Sequence, residues 1–436
     1  MQSIPGRVQK FLLRRLKKRR GCFFALQDTR QQSKVKHRLS AVVSALLLGL
    51  LSNRRTLRDV ETLTEQLQGP WRSLVPRAIS DTTLDSVLRQ LAPEELQDAH
   101  VALNRELKRS KLFKQVPRLG VSLVVVDGKN LATLDHDAEK TAQPRNNKNE
   151  KWHRKSSSEK ADYWLTPALR AALASTEAMP CLLQMPLASD GNETGTFVDF
   201  LEKLQASYGR SDILEVLSMD AGMTSLKNAN TICDNNLWYI FGLKDNQPEL
   251  FKEAQLLFEP LAKAQEPEAE TTWENREGKE IRRRVWRSAD FKNFENSVGV
   301  WKHLEQVWLV RQETRDAQNN ITVEDRYFLS SIPWGKLSGM EIIRSVRLHW
   351  VIENNVFNSL DLQWREDSGT WCTQGKAVWN LGVLRMMAYT LVQCLRRRTC
   401  RKKRGRHTWL QPLPWRDLFE HIYDALRGVT VATVSC

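Results

Sequence analysis

Apolar and polar positions change rhythm twice along this chain, and the changes divide it. Residues 41–51 read AVVSALLLGLL, a run too short to cross a bilayer and flanked by Arg54 and Arg55. It predicts one helix buried on all sides. Ser80-Asp81-Thr82-Thr83 offers capping side chains, and Leu84, Val87, Leu88 and Leu91 follow at helical spacing. At Val121 the pattern shortens to a β-branched run, Val121-Ser122-Leu123-Val124-Val125-Val126, which closes on Asp127. A near-continuous apolar run is what a strand buried on both faces needs. Further strands are expected at 165–174, 181–188, 213–219 (followed by Asp220) and 237–243, with helices at 197–208 and 226–234. Strands interleaved with helices in this order give a mixed α/β sheet.

The second change comes near residue 256. Residues 266–270 are acidic and linker-like. Segments 271–288, 307–313 and 322–332 are strand-like, with Asn319-Asn320 as a turn signal. Ser338 and Glu341 form an S-x-x-E capping box that opens a long helix. In that helix Val346, Trp350, Glu353 and Phe357 recur at spacings of 4, 3 and 4, so Glu353 is expected in line with the apolar stripe and facing the core. The expected division is a basic arm (1–38), a helical domain (39–115) of a size that commonly docks on DNA, and the first part of an α/β core (116–255). After these come a β-rich stretch with returning strands (256–335), a helix completing the core (336–400) and a basic tail (401–436).

Composition narrows the partners. Lys and Arg total 66 against 51 Asp and Glu, a net charge of +15 and a pI near 9.6. That excess favours a polyanion, nucleic acid before an anionic membrane. The first twenty residues are basic and lack an apolar stretch with a cleavage site, which argues against secretion. The seven cysteines are scattered with no C-x-x-C pair, as in a cytosolic protein with reduced thiols.

Three acids stand out. Asp127 and Asp220 each follow a buried β-rich run, at the sheet edge where α/β sites are usually built. Taken singly, each reads first as a turn residue or a helix N-cap. A core-facing Glu353 is costly unless it is paired or binds a cation, and its structural alternative is an ion pair with Arg347 or His349. Three carboxylates without a Cys or His cluster suit Mg²⁺, with Mn²⁺ able to substitute. Such a site performs phosphoryl transfer by the two-metal route. No G-x-x-x-x-G-K-[ST] loop is present; Gly128-Lys129 is only a fragment of one.

The ordered landmarks Val125-Val126-Asp127-Gly128-Lys129, Ser218-Met219-Asp220-Ala221, Gly242-Leu243-Lys244-Asp245-Asn246-Gln247, Arg326-Tyr327-Phe328-Leu329-Ser330-Ser331 and Arg347-Leu348-His349-Trp350-Val351-Ile352-Glu353-Asn354 resemble bacterial insertion-sequence transposases of the Asp-Asp-Glu type, in particular the H-repeat-associated family. The similarity runs over residues 39–388. It implies a ribonuclease H-like catalytic core with a β-rich insertion, preceded by a small helical domain. It also implies Asp127, Asp220 and Glu353 as the metal-binding triad, and Arg347 as a contact to DNA phosphate. The lysine that many relatives carry a turn after the glutamate is absent, with Leu360 and Asp361 in that region. Glu277-Gly278-Lys279 stands where relatives often show His-Gly-Arg.

Further DNA contacts are expected from Lys129, and from Lys244, Asn246 and Gln247, whose alternative is a plain turn before Pro248. Trp286, within Arg282-Arg283-Arg284-Val285-Trp286-Arg287, is the candidate for stacking on an unpaired base. The basic runs 14–20 and 401–404 are expected to touch phosphate. Asp361, Glu366 and Asp367 read as a solvated face, or else as acids supporting the triad. The resemblance implies a bacterial cytoplasmic, nucleoid-associated enzyme that acts as a homodimer on double-stranded DNA. It would bind terminal inverted repeats, free a 3′-hydroxyl at each end and join it to target DNA. A domesticated nuclease that cuts without joining, and a DNA-binding protein with a dead site, are the rival expectations.

Overall fold

An apolar helix with no polar face needs cover on every side, and that demand organises half of this molecule. Helix α2 (Leu39–Leu51) has twelve buried residues, and the helices before and after the central sheet close over it together. The computed structural model describes residues 3–18, 26–117, 119–135, 143–144, 163–187, 193–276, 278–367, 369–374, 376–398, 401–403 and 410–429. Arg19, Arg20, Cys22, Glu277, Cys400, Arg404 and Cys436 lie outside them.

The amino-terminal helices are α1 (Ile4–Lys18), α2, α3 (Leu57–Gln66), α4 (Asp81–Gln90) and α5 (Pro93–Arg109). Ser80 caps α4, accepting the Thr83 N–H, as its sequence predicts. The segment read as a basic arm is a helix with a packed face: Val8, Leu12 and Leu16 are buried, and Arg15 bonds Glu106 (3.3 Å) and Ser110 (2.7 Å) on and beside α5. Arg14 and Lys17 stay exposed.

The sheet follows. Its strands are β1 (Leu123–Asp135), β2 (Tyr163–Leu173), β3 (Cys181–Pro186), β4 (Val216–Met219) and β5 (Trp238–Leu243). Helix α6 (Glu193–Tyr208) precedes β4, and α7 (Leu226–Asp234) lies between β4 and β5. After α8 (Pro248–Ala264) come β6 (Glu274–Arg276), β7 (Lys279–Ser288), β8 (Gln306–Arg315) and β9 (Ile321–Ser330). β1 pairs antiparallel with β2 and parallel with β4; β4 pairs parallel with β5. The strands beyond residue 256 do not stand apart: β9 pairs with β5, β8 with β9 and β7 with β8, so one eleven-stranded sheet runs through. Gly278, at φ +81°, makes the tight β6–β7 turn, and Asn319, at φ +70°, the β8–β9 turn; such backbone favours Gly and Asn.

The capping box of Ser338 and Glu341 is formed at the start of α9 (Gly339–His349). A six-residue π-helical turn (Ile352–Phe357) leads into α10 (Asn358–Trp364), α11 (Ala377–Arg398) and α12 (Trp415–Leu426). The basic tail is thus partly a packed helix. One hydrophobic cluster joins α1–α4 to the π turn, α10, α11 and α12. Polar ties bind the same halves: Trp71 Nε1 donates to the Ala425 carbonyl (2.8 Å), Trp364 Nε1 to Leu50 (2.9 Å), and Asn380 Nδ2 to Leu88 and Leu91. Burying each Leu or Val contributes about 1.5–3 kcal/mol, so this shared core is the main reason the helical parts stay together. Among the described residues no helix is long and apolar enough to cross a membrane, and Cys181, Cys233, Cys372 and Cys394 form no disulfide.

Candidate active site

Strand register brings two of the acids side by side. Val124 and Val125 of β1 pair with Leu217 and Ser218 of the parallel β4. Asp127 and Asp220 each stand two residues further on, at matching positions of neighbouring strands about 4.8 Å apart. Because side chains alternate along a strand, Asp127 shares its face with Val125, which packs in the same cluster as Ile352 and Val356. Ile352 precedes Glu353 directly, so the third acid belongs to the element covering that face.

Each aspartate is held differently. Asp127 does not end its strand: β1 continues to Asp135 beside β2, with Asp127 opposite Arg170. Its carboxylate accepts the Gly128 N–H at 2.8 Å. Asp220 follows the last residue of β4 and caps the short turn Ala221–Met223, accepting the Met223 N–H at 3.2 Å. The N-cap expected from sequence is therefore a real local role for Asp220, whereas Asp127, inside a continuing strand, is neither a turn residue nor a cap. Asn246 and Gln247 fasten this loop from β5: Asn246 Nδ2 donates to the Ala221 carbonyl and Gln247 Nε2 to Thr224 (3.1 Å). A Cβ on Gly242 would lie 3.1 Å from the Ala221 nitrogen, so glycine lets the loop sit close against β5.

Glu353 corrects its expected position. It is exposed, while Ile352, Val356, Phe357 and Leu360 are buried. The even helical period that put Glu353 in the core fails because α9 ends at His349 and the chain passes into the π turn. A π turn carries an extra residue and rotates the following side chains. Arg347, its expected alternative partner, instead bonds Glu274 at 3.2 Å. His349 is buried, and Ser218 Oγ lies 3.1 Å from its Nδ1.

A fourth acid, Glu193 in the first turn of α6, was not singled out from sequence. Its carboxylate lies against Gly128, where any Cβ would collide with it. Burial pushes Asp127 up to about 8, helped by Glu353 and Asp220 and, less, by Glu193; the Gly128 N–H opposes. Burial and Asp220 also raise Glu193. Burial lowers His349 to about 4 against the pull of Asp220. The four carboxylates therefore act on one another. Even so, among the described residues no three His, Cys, Asp or Glu side chains are gathered closely enough to hold an ion together. Mutual repulsion between carboxylates opposes closer approach, and the donor set is all hard oxygen, which fits Mg²⁺ or Mn²⁺ better than a softer metal.

The other expected contacts divide. Lys129 is not free: its Nζ bonds both Asp361 oxygens (2.6 and 2.5 Å). Trp286 cannot stack on a base. It is 4% exposed, its indole donates to the Gln265 carbonyl, and strand alternation turns it into the core. Asn246 and Gln247 are engaged with the Asp220 loop, and Lys244 is exposed. Glu366 is fully buried against Arg170, not part of a solvated face; Asp367 is exposed.

Five arginines gather beside Glu353 instead. Arg276, Arg283, Arg326, Arg344 and Arg347 line a cavity of about 610 Å³ whose wall includes Trp350 and Asn354. The i, i+3 spacing of Arg344 and Arg347 and the two-residue alternation of β7 were signals for this cluster.

Comparison with known proteins identifies the family. A family model described as Transposase DDE domain matches residues 119–391, and one described as DDE_Tnp_1-associated matches residues 21–103. No curated protein matches the chain.

Proposed function

The chain belongs to the Asp-Asp-Glu transposases of the insertion-sequence kind, and from that premise we propose that it cuts the ends of its element and joins the freed 3′-hydroxyls to target DNA. The family is one of DNA-binding polynucleotidyl transferases and endonucleases that generally use divalent metals. The observation that carries the reading is the register of Asp127 and Asp220 on adjacent parallel strands, with Glu353 on the element covering them. The strand order β3-β2-β1-β4-β5, with β1–β3 antiparallel and β4 and β5 parallel to β1, supports a ribonuclease H-like core.

Asp127, Asp220 and Glu353 would hold Mg²⁺, which when bound supplies activation of the attacking oxygen and charge stabilisation on the leaving one. In the first step a water oxygen attacks the phosphorus at the element end and gives a proton to solvent, while the bond to the 3′-oxygen breaks and that oxygen takes up a proton to become the 3′-hydroxyl. In the second, the freed 3′-hydroxyl attacks a target phosphodiester and displaces another 3′-oxygen. Each step hydrolyses or exchanges one phosphodiester, so neither needs ATP. The chain's own groups set the geometry. Asn246 and Gln247 fix the Asp220 loop, and His349, held neutral by burial, bonds Ser218 beneath it. Exposed Lys244, Arg14 and Lys17 are available to backbone phosphate. Two ends must be held together for joining, so a homodimer on the terminal repeats is the working assembly.

The test is cleavage of a duplex carrying the element end, with DNA binding and thermal melting followed on the same samples. Glu353→Gln, Asp127→Asn and Asp220→Asn should lose cleavage by orders of magnitude yet keep binding. A folded Glu353→Gln protein that cuts normally overturns the triad. A wild type with no Mg²⁺-dependent cleavage leaves a DNA-binding protein, and cleavage without strand joining leaves a nuclease.

A further inference from the structure

The cavity beside Glu353 is lined by five arginines, and among the described residues no acid lines it. Some of the charge is answered outside the wall. Glu274 lies 3.2 Å from Arg347 and 3.6 Å from Arg276, and Glu324 lies 2.7 Å from Arg326. Arg283 is different. It is 8% exposed, and its Nη1 is buried without a hydrogen-bond partner.

Sequence explains how it came there. Along β7, Arg282 and Arg284 point to one face and pair with Glu313 and Glu270. Arg283 points to the other, the face that Val285 packs against α9, and α9 meets it with Arg344 and Arg347. Burial, with Arg347 and Arg276 close by and Glu274 opposing, lowers Arg283 to about 10, so it remains a cation at neutral pH. A buried cation among like charges, with one guanidinium nitrogen left without a hydrogen bond, is unfavourable unless an anion fills the space. A cluster of guanidinium forks suits a tetrahedral oxyanion, which each fork can bond twice. Trp350 closes one side, with the Arg326 guanidinium 4.3 Å from its ring centre. The adjoining Asn354 is next in the chain to Glu353, so one wall of the cavity comes from the segment that carries the third acid.

We propose that this cavity is a phosphate-binding pocket that seats one phosphodiester of the DNA strand lying over the carboxylate site. That the phosphate comes from DNA rests on the transposase reading; that the cavity takes a phosphate group does not.

The experiment uses the full chain and two probes, inorganic phosphate and an end-containing duplex. Melting is compared in phosphate and in chloride at equal ionic strength. Phosphate should stabilise the wild type, since a ligand bound only by the folded state raises the melting temperature. Arg283→Met should melt higher than wild type in chloride, because it removes an unpartnered buried charge, and should lose the phosphate response. Its duplex affinity should fall less steeply with salt, by about one phosphate contact. Arg276→Gln, on the exposed rim, should give a smaller loss of phosphate response and serves if the buried variant fails to fold. Equal phosphate responses in wild type and variants, or none in wild type, overturn the pocket. A lost phosphate response with an unchanged salt slope overturns its assignment to DNA. Absence of cleavage by the wild type would sink the transposase reading alone, because neither measurement here depends on cutting.

Discussion

Arg170 and Glu366 form a doubly bonded ion pair, at 2.7 and 3.0 Å, with neither side chain exposed. Arg170 also stands directly opposite Asp127 across β1 and β2, where paired side chains share a face. Its charge is engaged by Glu366, and Gln184 takes another of its donors. The pair therefore keeps a buried cation from neutralising Asp127. Glu366→Gln should destabilise the fold by about 3–5 kcal/mol, the usual cost of stranding one half of a buried pair. Replacing both partners with Met should cost far less. Urea unfolding of the three proteins checks this, and equal losses for the single and double variants would refute it.

Asp127 should make the metal-free protein less stable in mild alkali. Its folded value is raised to about 8 from an ordinary 3.8, so the folded state holds a proton that the unfolded chain has released. That contribution is complete below about pH 3.8 and lost as pH rises through about 8. Asp127→Asn cannot titrate. Its melting temperature in a chelator should match wild type only near pH 3.8 and exceed it by a growing margin up to pH 8.5. Parallel curves for the two proteins would contradict the assignment.

Glu193→Gln tests the fourth carboxylate. If Glu193 helps attract a cation to Asp127 and Asp220, the variant should bind Mn²⁺ several-fold more weakly by calorimetry while melting at or above the wild-type temperature. Unchanged Mn²⁺ affinity would make Glu193 a bystander against Gly128.

His100 should contribute to acid sensitivity. It is fully buried on α5 between Gln97 and Asn104, and burial, with Arg170 nearby, lowers it to about 3 from 6.5. Its neutral form fits the fold, so its contribution is complete above about pH 6.5 and drains away as pH falls toward 3. Between pH 6.5 and 4.5, His100→Asn should lose less stability in urea than wild type does. An equal loss would rule His100 out.

Much of the fold was legible because local signals agreed with tertiary ones. The apolar run at 41–51, the caps at Ser80 and Ser338 and the alternation of strands and helices from Val121 to Leu243 all formed as their patterns predict. Asp127 and Asp220 could be picked out because each follows a β-rich apolar run, a local property, although β1 continues past Asp127 to Asp135. Glu353 was identified by its motif, but its exposure was misread, since periodicity assumes a regular helix and a π turn breaks the phase. Trp286 and Lys129 were misassigned for a different reason. Their partners, Gln265 and Asp361, come from distant segments that no spacing rule connects. The same applies to Glu366, which reads as surface until Arg170 is placed beside it.

The core shared by the first and last helices has a consequence for synthesis. Trp71 emerges from the ribosome 354 residues before the carbonyl of Ala425 that its indole binds. The nascent amino-terminal helices must keep a largely apolar α2 without its final cover until translation is nearly complete, a long exposure of the kind that invites chaperone capture or aggregation. A message cut short upstream of α12 would thus yield a chain destined for proteolysis, not a stable fragment able to occupy the element ends and block the intact enzyme.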